Sequence, residues 1–144
     1  MEPVSNHRRN PGEAPVGEAP ELLLKDALEM QELLIAGYRK ASFQAALHRR
    51  WAAAAGDALL EAKARQEVCA QVQFPILRRF GFEASRRGLA RSLVAFRPLN
   101  GVAEVAERNA QMHVLVNPHL QDEDFAKNLQ LLGFNLEMPS VIMS

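Results

Sequence analysis

The stretch from Ser42 to Phe80, SFQAALHRRWAAAAGDALLEAKARQEVCAQVQFPILRRF, decides the fold of this chain. Its apolar side chains recur at close to the 3.6-residue period of an α-helix. They are Phe43, Leu47, Trp51, Ala54, Ala58, Ala62, Cys69, Val72, Ile76 and Phe80. This spacing predicts one long amphipathic helix, and the apolar spacing elsewhere predicts shorter helices that pack against its stripe.

Two residues are expected to interrupt the long helix. A straight helix over the whole stretch would run about 58 Å, which is longer than a compact domain of this size is wide. We therefore expect it to bend or break. Gly56 is one candidate position. Pro75 is the stronger candidate, because proline lacks a backbone donor and its ring opposes a carbonyl of the preceding turn.

The segments before the long helix are predicted to be a tail and one helix. Residues 1–20 are rich in proline and glycine and carry few sizeable apolar side chains, which predicts a disordered tail. Apolar periodicity then predicts a first helix from Glu21 to about Tyr38. Ser42 is a good N-cap for the long helix. The simplest arrangement is an antiparallel pair formed by these two helices.

Turn residues divide the chain after the long helix into shorter helices. Ser85 can cap a helix that carries Leu89, Leu93 and Phe96 on one face. Residues from Val102 to Val116 predict another helix, which Asn117 and Pro118 end. The sequence thus predicts an all-α fold, a small helical bundle built on one long kinked helix.

The C-terminal part is predicted to hold a last helix and an apolar tail. The helix should run from about Glu123 to Leu132, and the segment from Phe134 to Ser144 carries six large apolar side chains. Such a tail should dock on its own bundle or join a partner or a second copy, so a homo-oligomer is possible. The predicted divisions are 1–20 as the tail, 21–118 as the helical bundle domain, and 119–144 as the C-terminal helix and extended apolar tail.

Composition limits the class of protein. The chain has 17 basic and 17 acidic residues, so its net charge gives no whole-chain argument for nucleic-acid binding. Cys69 is the only cysteine, which excludes an intramolecular disulfide and a multi-cysteine zinc site and fits a reducing compartment. We expect it to be a buried packing thiol. The sequence has neither an apolar run long enough for a membrane span nor a signal-peptide pattern, which predicts a soluble cytoplasmic protein.

The sequence carries no recognisable catalytic constellation. The four histidines, His7, His48, His113 and His119, form no His-x-x-x-His or Glu-x-x-His pair of metal ligands. No serine lies in a nucleophile elbow, and no glycine run has the spacing of a phosphate loop. We therefore expect no catalytic residue, no cofactor, no metal and no enzymatic activity.

One cluster of charge is a candidate partner-binding surface. It consists of six arginines that only Glu83 offsets locally, namely Arg78, Arg79, Arg86, Arg87, Arg91 and Arg97. Arg87 and Arg91 share a helix face at the i,i+4 spacing. Three interpretations are open: a solvated face that pairs with the acids of the first helix and with Asp122–Asp124, a site for an acidic protein, or a site for nucleic acid or an anionic surface.

The side chains between these arginines bear on the choice. Binding of nucleic acid or an anionic membrane would need aromatic or hydrogen-bonding side chains between the cations. Phe80, Phe82, Leu89 and Leu93 lie between them in the sequence and are expected to belong to the core. A protein partner is therefore the favoured ligand of this surface, and nucleic acid is the alternative.

The end of the long helix resembles a known family. The runs Ala70–Gln73, Ile76–Arg79 and Phe80–Phe82, followed by Gly88 and Leu89, are similar to the small eukaryotic family called protein C-ten. In that family a Gln-aliphatic-Gln segment precedes an aromatic-Gly-Phe helix end and a Gly-aliphatic step. The similarity extends from about residue 22 to residue 118.

The resemblance implies a fold and a location. It implies a small, all-helical, cytoplasmic protein with no assigned catalysis and no cofactor. It also implies that Phe80, Gly81 and Phe82 form the cap and apolar clasp of the long helix, and Gly81 stands where a left-handed cap residue is expected. The leading functional hypothesis is an adaptor or protein-interaction module. The alternative is nucleic-acid or anionic-surface binding through the basic patch from Arg78 to Arg97, and an enzyme comes third.

Overall fold

The computed structural model describes residues 21–121. Within this range the chain forms five α-helices and no strand. The helices are α1 (Leu24–Tyr38), α2 (Ala41–Ala53), α3 (Ala58–Arg79), α4 (Arg86–Phe96) and α5 (Ala103–Leu115). Short 3-10 turns follow α4 at Arg97–Leu99 and α5 at Pro118–Leu120. The predicted all-α fold is confirmed for these residues.

The stretch expected to form one long helix is divided into α2 and α3. Ala55 and Gly56 have φ angles of 53° and 85°, so the chain leaves the right-handed helix there. Asp57 then caps α3, because its Oδ1 accepts hydrogen bonds from the amides of Leu59 (2.9 Å) and Leu60 (3.1 Å). The expected break therefore occurs at Gly56, the weaker of the two candidates, and it divides the stretch into two separate helices, so the finer prediction of one long kinked helix is corrected.

Pro75, the stronger candidate for the break, lies inside α3 without ending it. Its side chain is exposed, and the helix continues for four residues to Arg79. Pro75 has no backbone N–H to donate, so α3 continues past it with one helical hydrogen bond fewer. The break at residues 54–57 is stronger because it combines a left-handed backbone with a new N-cap.

The start of the chain also differs from the prediction. α1 begins at Leu24, three residues after Glu21, and the N-cap of α2 is Lys40 and not Ser42. Lys40 makes no side-chain capping hydrogen bond. α1 packs mainly against α5 and α3, so its partner within the stretch expected to form the long helix is the second part, α3, and not α2.

Two hydrophobic clusters lie along the three helices α1, α3 and α5. The first, here called the α2-end core, is formed by Ile35, Tyr38, Phe43, Leu47, Val68, Cys69 and Leu115. The second, called the α4-end core, is formed by Ala27, Met30, Leu77, Phe82, Ala95, Phe96 and Val105. α1, α3 and α5 contribute to both cores, whereas α2 contributes only to the first and α4 only to the second. The two ends of the bundle are therefore closed by different helices.

Two buried glutamines attach α5 to the helices around it. The amide nitrogen of Gln31 in α1 donates to the carbonyl of Val105 (3.0 Å) and to Oδ1 of Asn109 (2.9 Å). That of Gln44 in α2 donates to the carbonyl of Leu115 (3.0 Å). Both glutamines are fully buried. Because these bonds lie at opposite ends of α5, they fix its position along the bundle.

Several predictions concern residues outside the described range. They are the disordered tail at 1–20, the acidic group Asp122–Asp124, the last helix from Glu123 to Leu132 and the apolar segment from Phe134 to Ser144. In the described range, no helix has both the length and the apolar character that crossing a bilayer requires.

Candidate interaction surface

The turn from α3 into α4 is a Schellman motif centred on Gly81. Gly81 has a φ angle of +88°, its amide donates to the carbonyl of Arg78 (3.2 Å), and the amide of Phe82 donates to the carbonyl of Leu77 (3.0 Å). The Phe82 side chain is buried in the α4-end core. Glycine at the left-handed position and an apolar residue after it therefore fix the direction in which the chain leaves α3.

Gly88 allows α4 to lie against the chain that precedes it. The hydroxyl of Ser85 caps α4 by accepting a hydrogen bond from the amide of Gly88 (3.1 Å). A Cβ atom on Gly88 would overlap the backbone carbonyl of Glu83 far inside van der Waals contact. This close approach fixes which side of α4 is turned inward.

The inward side of α4 is made mostly of small residues. Gly88, Ser92, Ala95 and Phe96 are the buried residues of the helix. The Ser92 hydroxyl donates to the carbonyl of Leu89 (2.7 Å), which satisfies its donor inside the protein. Only Phe96 contributes a large side chain to the α4-end core from this helix. α4 can therefore lie close to the bundle while its larger side chains point outward.

The opposite side of the helix is called the outer α4 face. It is formed by Arg86, Arg87, Ala90, Leu93, Val94 and Arg97, all of which are exposed. Leu93 is 61% exposed and Val94 is 37% exposed. The expectation that Leu93 belongs to the core is therefore wrong. Leu89 is half-buried and packs against the α4-end core, because it lies on the edge between the two sides.

The helical positions of the arginines could have revealed this surface from the sequence. Residues three, four and seven positions apart lie on one side of a helix. Arg86 precedes Leu93 by seven positions, and Arg97 follows it by four. Leu93 therefore shares its side of the helix with the arginines, and its spacing from Leu89 suggested the wrong side.

The structure distributes the six predicted arginines over three places. Arg78 and Arg79 are exposed at the end of α3, and Arg86, Arg87 and Arg97 belong to the outer α4 face. Arg91 is half-buried at the edge of that face, although it shares a side with Arg87 as predicted. The arginines thus lie on the C-terminal end of α3 and along the helix that follows.

The acidic residues of α1 offset little of this charge. Arg79 Nη2 lies 3.7 Å from Glu29 Oε2, in a pair whose two side chains are more than half exposed. Glu32 pairs with Arg108 of α5 at 3.8 Å, away from α4. Exposed pairs of this kind contribute at most about 1 kcal/mol. The predicted pairing with helix one is thus found for a single arginine, and Asp122–Asp124 lie outside the described residues.

Three titratable residues with shifted pKa values, His48, Glu67 and Cys69, lie toward the α2 end. Cys69 is buried, and burial raises the pKa of its thiol to about 12, so the thiol stays protonated at neutral pH. His48 is buried, and its pKa is lowered by desolvation. Arg50 forms an ion pair with Glu67 and lowers the pKa of that carboxyl. Residues 21–121 contain no group of three or more His, Cys, Asp or Glu side chains placed to hold a metal ion.

Comparison with known proteins finds no match for this chain among family models, curated proteins or solved structures. The chemistry of the outer α4 face must therefore be argued from its own residues. An exposed leucine and valine lie among three arginines on one helix. Such a face offers both an apolar contact and charged hydrogen-bond donors to a ligand.

Proposed function

We propose that this protein is a non-enzymatic cytoplasmic interaction module that binds an acidic protein partner through the outer α4 face. The observation that carries the proposal is the exposure of Leu93, at 61%, between Arg86 and Arg97 on one side of the helix. A hydrophobic anchor supplies contact free energy when it is buried in a complex, and the arginines select a carboxylate-bearing segment.

Arginine suits this role better than lysine would. Its planar guanidinium group binds a carboxylate through two parallel hydrogen bonds, and it is enriched at protein interfaces. Among the described acids, Glu29 of α1 forms an exposed ion pair with Arg79, and Glu67 of α3 interacts electrostatically with Arg86. Arg87 and Arg97 of the outer α4 face are exposed and can bind the carboxylates of another protein.

The resemblance to the protein C-ten family supports the same proposal. Two of the residues that carry the resemblance, Gly81 and Gly88, are those whose backbone geometry sets the position of α4. The resemblance also implies a helical protein with no assigned catalysis and no cofactor. A sequence pattern that fixes the orientation of one helix is consistent with a function on that helix.

Two pairs of variants test the proposal. Leu93→Ser removes the apolar anchor and Arg87→Glu reverses a charge on the outer α4 face, whereas Leu59→Ser and Arg49→Glu make the same changes at exposed positions on α3 and α2. Proteins captured from native cytosol should be quantified for the parent and all four variants. We expect specific partners to be lost with both face variants and kept with both controls.

The captured partner should then be purified and its affinity measured. Truncation of an anchor residue at an interface typically weakens binding by about 2 kcal/mol, which is roughly 30-fold. Leu93→Ser should weaken the affinity by about this factor, and Leu59→Ser should leave it unchanged. Equal capture and equal affinity across the four variants would contradict the proposal.

The second candidate is binding of nucleic acid or an anionic surface, which the surplus of arginines over acids on this face favours. Binding to phosphates weakens steeply as salt rises, whereas a contact anchored by an apolar side chain weakens less. Duplex DNA, single-stranded RNA and anionic vesicles should each be titrated at low and physiological salt. Tight binding that depends on Arg87 and not on Leu93 would favour this candidate over an acidic protein.

A further inference from the structure

A groove at the α2 end of the bundle lies on the surface between α1, α2 and α3. Its volume is about 510 Å³, within the range of small-molecule sites. Its walls are formed mainly by aliphatic and aromatic side chains, among them Leu33, Phe43, Val68, Val72 and Ile76. The groove is separate from the outer α4 face, because no residue of α4 lines it.

The shape of the groove depends on the contact between α1 and α3. A Cβ atom on Gly37 would lie 2.5 Å from Cγ1 of Val72, so a side chain at this position could not be accommodated without a shift of Val72. Ala36 and Ala46 also line the groove, and their short side chains leave space within it. Small residues on α1 and α2 therefore leave the space that the larger apolar side chains surround.

The polar groups of the groove are few and carry one sign of charge. Lys40, Ser42 and Gln71 are the polar side chains in its lining, and no carboxylate lines it. Lys40 stands at the edge where α1 leads into α2, and it makes no side-chain cap for α2. The positive end of the α2 dipole lies at the same edge. The groove is therefore apolar along its walls and favours a single negative charge at this edge.

We propose that this groove binds a medium-chain fatty acid, with the aliphatic chain along the apolar walls and the carboxylate at Lys40. The walls are helices, whose backbone groups are bonded internally, so an extended peptide would find few partners for its own amides and carbonyls. An aliphatic chain has no such groups to satisfy. A ligand with one carboxylate also matches the charge of the lining, in which Lys40 is the single charged side chain.

Dodecanoate is a suitable probe for the full-length chain. It should be titrated below its micelle concentration while NMR signals of the Gly37 amide and the Val72 methyl groups are followed. Two variants test the two parts of the site: Lys40→Glu reverses the charge, and Ala36→Trp fills the groove from an exposed position. Lys25→Glu is the matched control, because Lys25 is an exposed lysine on α1 outside the lining.

We expect saturable shifts at Gly37 and Val72, and affinity for dodecanoate that falls about tenfold in Lys40→Glu and stays unchanged in Lys25→Glu. Ala36→Trp should abolish the shifts. The methyl ester of dodecanoate, which has no charge, should bind the parent and Lys40→Glu equally. These results together would place the aliphatic chain of the ligand along the apolar walls and its carboxylate at Lys40.

Three results would overturn the proposal. One is the absence of shifts at Gly37 and Val72, or equal affinity in the parent, Lys40→Glu and Ala36→Trp. Another is a change of the same signals with protein concentration, since the groove would then be covered by a second copy. A third is binding that is detected only after deletion of residues 134–144, since the groove would then be occupied by the chain's own C-terminal segment.

Discussion

The two ends of the bundle are held in different ways. At the α2 end, side chains of α2 and of the residues after α5 form hydrogen bonds with the last turn of α5, and a side chain of α3 bonds to Asn117, which follows α5. At the α4 end, α4 is held by a close backbone approach at Gly88 and by apolar packing around Phe96. Side-chain hydrogen bonds thus tie α2 to α5, whereas steric fit holds α4, so substitutions should affect the attachment of these two helices differently.

The last carbonyls of α5 show how the α2 end is fixed. Gln121 Nε2 donates to the carbonyls of Val114 (2.9 Å) and Leu115 (3.1 Å), and Gln44 also donates to Leu115. Gln121 Oε1 lies 2.9 Å from His48 Nε2 in α2. The last carbonyls of a helix have no hydrogen-bond donors within the helix. Here the side-chain amides of Gln44 and Gln121, which lie outside α5, donate to them. The α2 end is therefore a polar contact placed beside an apolar core.

Arg65 and Trp51 extend this contact to α3. Arg65 Nη1 donates to Oδ1 of Asn117 (2.8 Å), and its guanidinium lies 5.7 Å from the centre of the Trp51 ring. His119 stacks on the same ring with a centroid distance of 5.7 Å. A cation above an aromatic face and a stacked ring each add a modest attraction.

The largest effect should come from Gly88→Ala at the α4 end. The new methyl group would meet the backbone carbonyl of Glu83, which cannot move without displacing the turn before α4. We expect the free energy of unfolding to fall by about 4 kcal/mol or more in chemical denaturation. Gly101→Ala is the control, because a Cβ atom there has no neighbour within 4 Å. Equal losses for the two variants would refute steric fit as the cause.

The next largest effect should come from Leu47→Ala at the α2 end. Leu47 is fully buried in the α2-end core, and truncation of such a leucine costs about 3 kcal/mol through lost burial and a residual cavity. Leu93→Ala, the same change on the outer α4 face, should change stability by less than about 0.5 kcal/mol. Thermal and urea unfolding of both variants would measure the contrast. A large loss from Leu93→Ala would place that side chain in the core after all.

Two glycines with positive φ should give smaller and similar effects. Gly56 lies in the break between α2 and α3, and Gly81 follows the end of α3. Their φ angles are 85° and 88°. Neither would place a Cβ atom near another residue, so the cost of alanine is the cost of the left-handed backbone alone. We expect Gly56→Ala and Gly81→Ala to lose about 1 kcal/mol each. An unchanged melting temperature for either would mean that its backbone can relax.

The helices themselves could be predicted from the sequence because their apolar residues recur with the helical period. The break could not be placed as well, since a break at Gly56 and a kink at Pro75 are both compatible with that period. The signal that was missed is Asp57, an N-cap residue directly after the glycine. Glycine followed by aspartate marks the end of one helix and the start of another more strongly than an exposed proline near a helix end does.

Of the three residues expected on the core side of α4, only Leu93 was assigned wrongly, and the reason is physical. Hydrophobic periodicity assigns the largest apolar residues to the core, and Leu93 fits that pattern with Leu89. The structure instead buries Gly88 and Ser92, because only small residues allow the helix to lie against the turn before it. A close backbone approach depends on tertiary geometry, which the period of one segment does not contain. The cluster of arginines was recognised in the sequence, and its helical spacing from Leu93 was the signal that was missed.

The smallest effect concerns pH and the histidine of the α2 end. Burial lowers the pKa of His48 below the value of about 6.5 that a histidine has in the unfolded chain. Below that pH the unfolded chain therefore binds a proton that the folded protein does not, until the pH also falls below the lowered pKa. The stability that depends on neutral His48 is fully present above about pH 6.5 and is lost as the pH falls through the pKa of the folded state.

His48→Gln should reduce this loss, because glutamine has no proton to bind in this range. Urea unfolding of the parent and the variant between pH 7.5 and pH 5, a range set by the ordinary histidine pKa of about 6.5, would measure the difference in slope. Arg49→Gln removes a neighbouring charge and keeps the imidazole, so it should retain the slope of the parent. If His48→Gln loses stability with acid as steeply as the parent, His48 is not the group responsible. Because the α4 end has no buried histidine in the described residues, a reduced slope would assign the acid sensitivity to the hydrogen-bonded end of the bundle.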